Sequence, residues 1–384
     1  MGVNTNAAAP RSVLANRLSQ RKIPSVDGLR AVAVILVILH HLKVSFAPEG
    51  RGVLTFFVLS GFLITWMMLN ESEKNDSVSI RDFYVRRVLR IFPAFYVYLL
   101  LLFAAQWLTR GWPSGSMFSD YLSAFTYTSN YRFAMLPHID HACWHTWALS
   151  VEEQFYLLWP LFFAAFQKNL RRMSHLLMAA IVLVDVYRIV LFFKFHADDH
   201  WLSYTFDSRV DHLLVGCLLA VLLKQGALAR FWNFLTERTW VSLIPFGLII
   251  LSIALAFRYH LRYKYAVGFL VDPLLTAIFL VQVIAMGNTW LWGWLNWRVL
   301  RYLGQISYGM FLYHMLANRL VIDVFGHHSL WLHVPAVIAV ATLMGAVSFH
   351  VVEWRFLRLK SRFAGNPSKK PAPVIAQSYQ FVRS

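Results

Sequence analysis

The sequence predicts an all-α protein, a polytopic transmembrane helix bundle of about ten spans with its N- and C-termini cytoplasmic. Three observations predict it. Hydrophobic residues make up 58% of the chain and charged residues 14%, where a soluble protein carries about 25% charge. Apolar runs of roughly 20 residues, the length of a helix that crosses the hydrocarbon core, recur along the chain. Lys and Arg are shared unevenly between the connections. The mean hydropathy of +0.51 agrees.

The formal net charge is +17. In a soluble protein this would suggest nucleic acid. In so apolar a chain the positive charge belongs on the cytoplasmic face, with a share left for an anionic ligand, so membrane lipid is the expected surrounding and no nucleic-acid partner is expected. Two cysteines, Cys143 and Cys217, fit no metal-ligand spacing and no disulfide framework. Cys217, inside an apolar run, reads as a small packing residue.

The spans follow in order: 29–46, 52–70, 92–109, 147–167, 175–195, 209–223, 240–257, 266–287, 304–325 and 331–351. The first follows a basic segment, as a signal peptide's apolar stretch does. It is longer than the 7–15 residues usual there and lacks a small-residue cleavage site, so it is expected to be retained. The stretch 118–135 is apolar but short and rich in Tyr, Ser and Asn, which suggests a re-entrant or interfacial piece. With the N-terminus inside, the inside segments hold twenty-four Lys and Arg and the outside segments nine. Residues 1–23 then form a cytoplasmic segment, 24–363 the membrane domain, and 364–384 a disordered cytoplasmic tail with no second domain after it.

Ionisable groups inside the spans cost about 2.5–3.5 kcal/mol each and mark function. The first span carries Arg30 and His41, eleven residues apart. That is close to three helical turns, so both lie on one face, ~16 Å apart along the axis. A snorkelling Arg and a structural His would also explain them. In "FYVRRVLRIFP" (83–93), Arg87 and Arg90 are neighbours on a helix at the inner surface. Adjacent guanidiniums suit phosphates, though positive-inside anchoring alone would also place them there. In "HTWALSVEEQFYLLWPL" (145–161), Glu152 and Glu153 enter the outer part of a span. Counting from span ends puts Glu152 level with His41, where a carboxylate can orient or charge an imidazole. Two carboxylates binding water or an Arg are the alternative.

Weaker signals are Arg209, Asp211 and His212 in "DSRVDHLLVG", which suit either an acceptor cleft or a surface salt bridge, and Tyr308 and His314 in "LGQISYGMFLYH". His314 falls in the outer half of its span, as a second polar group for the His41 cavity. Ser60 and Gly61 in "FFVLSGFLITW" suit close helix packing.

Taken together, "SVDGLRAVAVILVILHH", "FFVLSGFLI", "FYVRRVLRIFP", "HTWALSVEEQFYLLWP", "SRVDHLLVG" and "GQISYGMFLYH" resemble, in register, the motifs of the acyltransferase-3 family of bacterial integral-membrane O-acyltransferases. The resemblance covers roughly residues 24–357. It implies transfer of an acyl group, commonly acetyl, from cytosolic acyl-CoA to a hydroxyl of a carbohydrate or glycoconjugate at the outer side of the bacterial cytoplasmic (inner) membrane, without a metal. It places the family's essential His and Arg on His41 and Arg30, its arginine pair on Arg87 and Arg90, and its motif Glu on Glu152. The string "VVEWRF" departs from the family's terminal Glu-x-Pro pattern, so no role carries over to Glu353. At this length the hydrolase domain some members add is not expected, and the chain resembles the stand-alone form.

On this reading Arg87 and Arg90 hold the CoA phosphates and Arg30 meets the entering donor. His41, oriented by Glu152, acts as base or nucleophile, and Arg209, Asp211, Tyr308 and His314 line the acceptor site. Intramembrane His, Glu and Arg also suit a transporter or flippase. That class often shows repeated halves with matched helix breaks, which this sequence lacks. A non-catalytic scaffold would not need charges aligned at depth.

Overall fold

A computed structural model describes residues 13–359 other than 21, 46, 49, 112–113, 138–142 and 327–328. The tail expected at 364–384 lies outside the described residues. Of the described residues, 86% are helical. Backbone groups that have no water to bond must bond within their own segment, and the apolar runs do so as helices.

Among the described residues ten helices are eighteen residues or longer, and each coincides with one of the expected spans. They are α1 (Pro24–His41), α2 (Arg51–Asn75), α3 (Ile80–Arg110), α4 (Trp147–Phe166), α5 (Leu170–Phe193), α6 (Phe206–Lys224), α7 (Leu243–Tyr263), α8 (Phe269–Met286), α9 (Ser307–Phe325) and α10 (Leu330–Ser348). Among the described residues six segments are long and apolar enough to cross a membrane by length and composition, or seven if one bent pair counts as a span. One of the six, Thr239–Met286, holds both α7 and α8. It is folded back on itself: Ser252 on α7 donates to Asp272 on α8, whereas a straight helix would hold residues twenty apart at ~30 Å. The reversal falls at His260 (φ 48°).

Helix ends differ from the expected spans where local chemistry decides them. Pro24 opens α1 at a position where its missing N–H costs nothing, and the helix stops at His41, two residues before Lys43 with φ 55°. His41 is thus the last residue of its helix, not one inside it. At the other end of the scale, α3 begins twelve residues before the expected span. Ser79 caps it by accepting from the Asp82 N–H, so Arg87 and Arg90 lie on the same rod as the apolar stretch.

The segment 118–135 folds as two short helices, Gly115–Phe125 and Ser129–Met135, joined through Tyr127 at φ 54°. Arg132 Nε reaches back to the fully buried Asp120 at 2.5 Å and closes the hairpin. Asn130 Oδ1 accepts from Gln154 Nε2 on α4 at 2.9 Å, which docks the hairpin on the bundle. Before α1, Val13–Leu18 forms one helical turn and a half, with Leu14 and Leu18 buried.

Small residues let α2 and α6 touch backbone to backbone. A Cβ on Gly61 would lie 2.0 Å from the Leu213 carbonyl oxygen, and one on Gly216 would lie 2.1 Å from that of Val58. Cys217, beside them, donates its thiol to the Gly61 carbonyl at 3.5 Å. Close packing is the main source of helix association in lipid. Gly216→Leu should therefore force the two helices apart and cost about 1–3 kcal/mol, measured as a lower midpoint of thermal unfolding in detergent.

Candidate functional site

The interior polar groups gather into two clusters joined by α1, which carries Arg30 near one end and His41 at the other. Around His41 stand imidazoles from two other elements. The His314 ring on α9 is centred 4.8 Å from that of His41, and the His145 ring, in the 3-10 turn that leads into α4, lies 5.1 Å from that of His314. Trp144 meets His41 edge-on at 5.4 Å.

Hydrogen bonding sets the tautomers of this cluster. The Phe311 carbonyl can only accept, so His314 Nδ1, 2.6 Å from it, carries the proton. Neutral His314 then offers Nε2 as an acceptor to His41 Nδ1 at 3.0 Å. His41 Nδ1 therefore donates, and His41 Nε2 keeps its lone pair. His145 is oriented likewise, its Nε2 donating to the Leu312 carbonyl at 3.1 Å. His314 thus does for His41 what an orienting carboxylate does for a catalytic histidine.

His41 and His145 line a cavity of about 550 Å³ between α1, α2, α6, α7 and α8, with Trp144, Trp147, Tyr204, Arg209 and Lys264 on its wall. Arg51 and Asp272 also line it and pair at 2.5 Å. Arg51 and Tyr263 both donate to Ser252, at 2.9 Å and 2.8 Å, and Ser252 donates to Asp272. Cys143, next to Trp144, is poorly placed to act as a nucleophile. It is fully buried, and burial pushes its thiol well above the ordinary range.

The second cluster lies around Arg30, whose Nη2 donates to Ser307 Oγ at 3.1 Å. The Arg87 guanidinium stacks 4.8 Å over the Tyr156 ring, and the Tyr156 hydroxyl shares a 2.8 Å hydrogen bond with Ser60. Tyr308 donates to the Ile91 carbonyl at 3.0 Å, beside Arg90. Glu152 hydrogen-bonds Ser60 and lies within electrostatic reach of Arg87, Arg30 and Arg90. Among the described residues none of the three arginines has a carboxylate within 4.0 Å, leaving a cationic cluster with hydroxyls beside it.

Some expected neighbours are thus separated. Glu152 stands with the arginines, and the group that faces His41 is His314. Counting residues from span ends took both Glu152 and His41 to the same depth. The turn that precedes α4 is itself buried at the level of His41, so Glu152, seven residues beyond His145, sits ~10 Å deeper. Tyr308 and His314, expected at one cavity, go to different clusters for the same reason, six residues apart on α9. Arg209 reaches the His41 cavity, whereas Asp211 is not on its wall. Asp211 pairs at 3.0 Å with Arg188, which also holds Asp185 at 2.8 Å. Arg188→Met would strand two carboxylates in the interior, and breaking a buried pair costs about 3–5 kcal/mol. Loss of folded protein on size-exclusion chromatography is the expected result.

Two residues with no role from the sequence stand in these clusters. His145 opens a motif already singled out, and nothing in its spacing tells of the turn that carries it to His314. Glu353 is buried at the end of a π-helical turn after α10 and within electrostatic reach of Arg90 and Arg30. Among the described residues no three His, Cys, Asp or Glu side chains are placed to hold a metal ion.

The model of the acyltransferase-3 family, described as an acyltransferase domain, matches residues 23–351. OatA, a peptidoglycan O-acetyltransferase of Listeria monocytogenes, is 32% identical over 314 residues, which are 78% of this chain and 50% of that protein. YrhL of Bacillus subtilis, provisionally named for the same activity, is 30% identical over 360 residues, 87% of this chain and 54% of that one. A provisionally named O-acetyltransferase of Staphylococcus aureus is 26% identical over 380 residues, 94% of this chain and 61% of its own length. The chain spans about half the length of the first two relatives. No solved structure matches it.

Proposed function

The chain belongs to the acyltransferase-3 family, and from that premise we propose that it is a multi-pass enzyme of the bacterial cytoplasmic membrane. It moves an acetyl group from cytosolic acetyl-CoA to a hydroxyl of a cell-surface carbohydrate, peptidoglycan being the acceptor that its relatives' names favour. The observation that carries the proposal is the placement of His41. Its Nδ1 is committed to His314, and the ring lines a cavity wide enough for a sugar.

In this scheme the ten long helices each cross the bilayer, and both termini are cytoplasmic. The excess of Lys and Arg on that side supports the orientation. Arg87 and Arg90 receive the CoA phosphates, and Arg30 meets the donor as it enters. Glu152, within electrostatic reach of them but in no ion pair, offsets part of their charge and does not orient His41. The thioester lies near His41, three turns along α1 from Arg30. His41 Nε2 removes the proton of the acceptor hydroxyl as its oxygen attacks the thioester carbonyl. The C–S bond then breaks, and the departing thiolate takes that proton back from His41 Nε2. In the alternative route Nε2 attacks first and carries the acetyl group itself. Release of CoA before any acceptor is added distinguishes the two.

The direct test is acetyl transfer by the purified chain in liposomes, with acetyl-CoA on one side and saccharide on the other. Absence of ester-linked acetyl groups on every saccharide offered, and no difference in surface-glycan mass with and without the protein, would overturn the proposal.

A further inference from the structure

Resting on that reading of the His41 cavity, we propose that the acceptor carries an anionic group, a carboxylate or a phosphate, and that Arg209 recognises it. Arg209 is only 4% exposed, yet it lines the cavity that holds His41. Three rings enclose its guanidinium, Phe269 at 4.4 Å, Trp147 at 5.6 Å and Phe57 at 5.9 Å. Its Nε is sealed off without a hydrogen-bond partner. Among the described residues no carboxylate lies within 4.0 Å of it.

The other cations of this layer are answered. Arg51 has Asp272 at 2.5 Å, Lys264 has Asp199 at 3.0 Å, and Arg188 has Asp185 at 2.8 Å and Asp211 at 3.0 Å. Asp211 acts on Arg209 through its field but makes no contact with it. A buried charge is expensive unless it is paired, and rings that exclude water strengthen its pull on an anion brought to it. Aromatic rings hold the guanidinium in one place and leave its terminal nitrogens to the ligand.

The path from Arg209 to His41 is a wall of rings. Trp147 contacts Tyr204 at 5.0 Å, Tyr204 contacts Trp144 at 6.1 Å, and Trp144 contacts His41 at 5.4 Å. An aromatic wall with a few polar groups fits the apolar face of a sugar ring. A sugar lying along it presents its hydroxyl to His41 while a charged substituent reaches Arg209, which makes Arg209 a specificity-determining residue.

The test uses the full chain in liposomes with acetyl-CoA and four acceptors: N-acetylmuramic acid, its methyl ester, N-acetylglucosamine and N-acetylglucosamine 1-phosphate. The carboxylate and phosphate arms tell the two anions apart. The expected result is a kcat/KM at least about tenfold higher for one of the anionic acceptors than for its neutral counterpart, the scale of one charge-assisted contact. Arg209→Gln should erase that preference and leave the KM for acetyl-CoA unchanged, and Arg209→Lys should retain part of it. The wild-type comparison stands even if Arg209→Gln does not fold. Equal rates on charged and neutral acceptors overturn the proposal while leaving the acetyltransferase reading intact. Transfer to none of the four, together with none to any neutral oligosaccharide, removes that reading and the proposal with it.

Discussion

Replacing His41 with Ala should abolish acetyl transfer, lowering kcat by at least about 10²-fold while the protein stays folded and still binds acetyl-CoA. The size of the effect follows from the hydrogen-bond chain. Phe311 fixes the proton on His314 Nδ1, and His314 fixes the proton on His41 Nδ1. His145 commits its Nε2 to the Leu312 carbonyl, so that nitrogen is not available as a base. The chain also predicts an ordering among variants of His314. His314→Leu takes away the ring that accepts from His41 Nδ1 and lets the His41 ring turn, whereas His314→Gln offers an amide oxygen in its place and should retain more activity. Steady-state transfer rates, with donor binding measured separately, check both points. Full activity of His41→Ala would end any chemical role for this residue. Equal activity of the two His314 variants would end the positioning role given to His314.

Arg87→Ala should raise the KM for acetyl-CoA by about ten- to a hundredfold, with a smaller change in kcat. One charge-assisted hydrogen bond is worth about 1.5–3 kcal/mol, and each 1.4 kcal/mol is a factor of ten. Stacking on Tyr156 holds the guanidinium in place before the donor arrives. Its half-buried position makes the contribution larger than that of a surface lysine, and Arg87→Lys should recover only part of it because the planar fork is lost. Arg90→Ala should behave alike, and both effects should weaken as salt is added. An unchanged KM in Arg87→Ala would remove the phosphate clamp from the scheme and leave the His41 chemistry standing.

The helical class was legible because apolar run length is a one-dimensional property. A run of about twenty apolar residues has one structural outcome in lipid, and each of the ten expected runs became one long helix. The resemblance to the acyltransferase-3 family was legible for a similar reason, since its motifs are contiguous strings. Gly61 read as a packing residue and is one, with the Leu213 backbone against it. The cation pair Arg87 and Arg90 read as neighbours, because three residues on a helix bring side chains together whatever surrounds them.

What the sequence determined by itself was therefore local: which segments are helices, which face of α1 carries Arg30 and His41, and which side chains are too polar to meet lipid. Tertiary structure alone decided which of those polar groups meet across helices. It moved Glu152 from His41 to the arginines, put His314 and His145 beside His41, and gave Asp211 to Arg188 while Arg209 went to the cavity. The reason is that depth in a bundle depends on where each helix begins relative to its neighbours. Buried turns such as the one at His145 shift that origin by two helical turns without leaving a mark in the hydrophobic pattern.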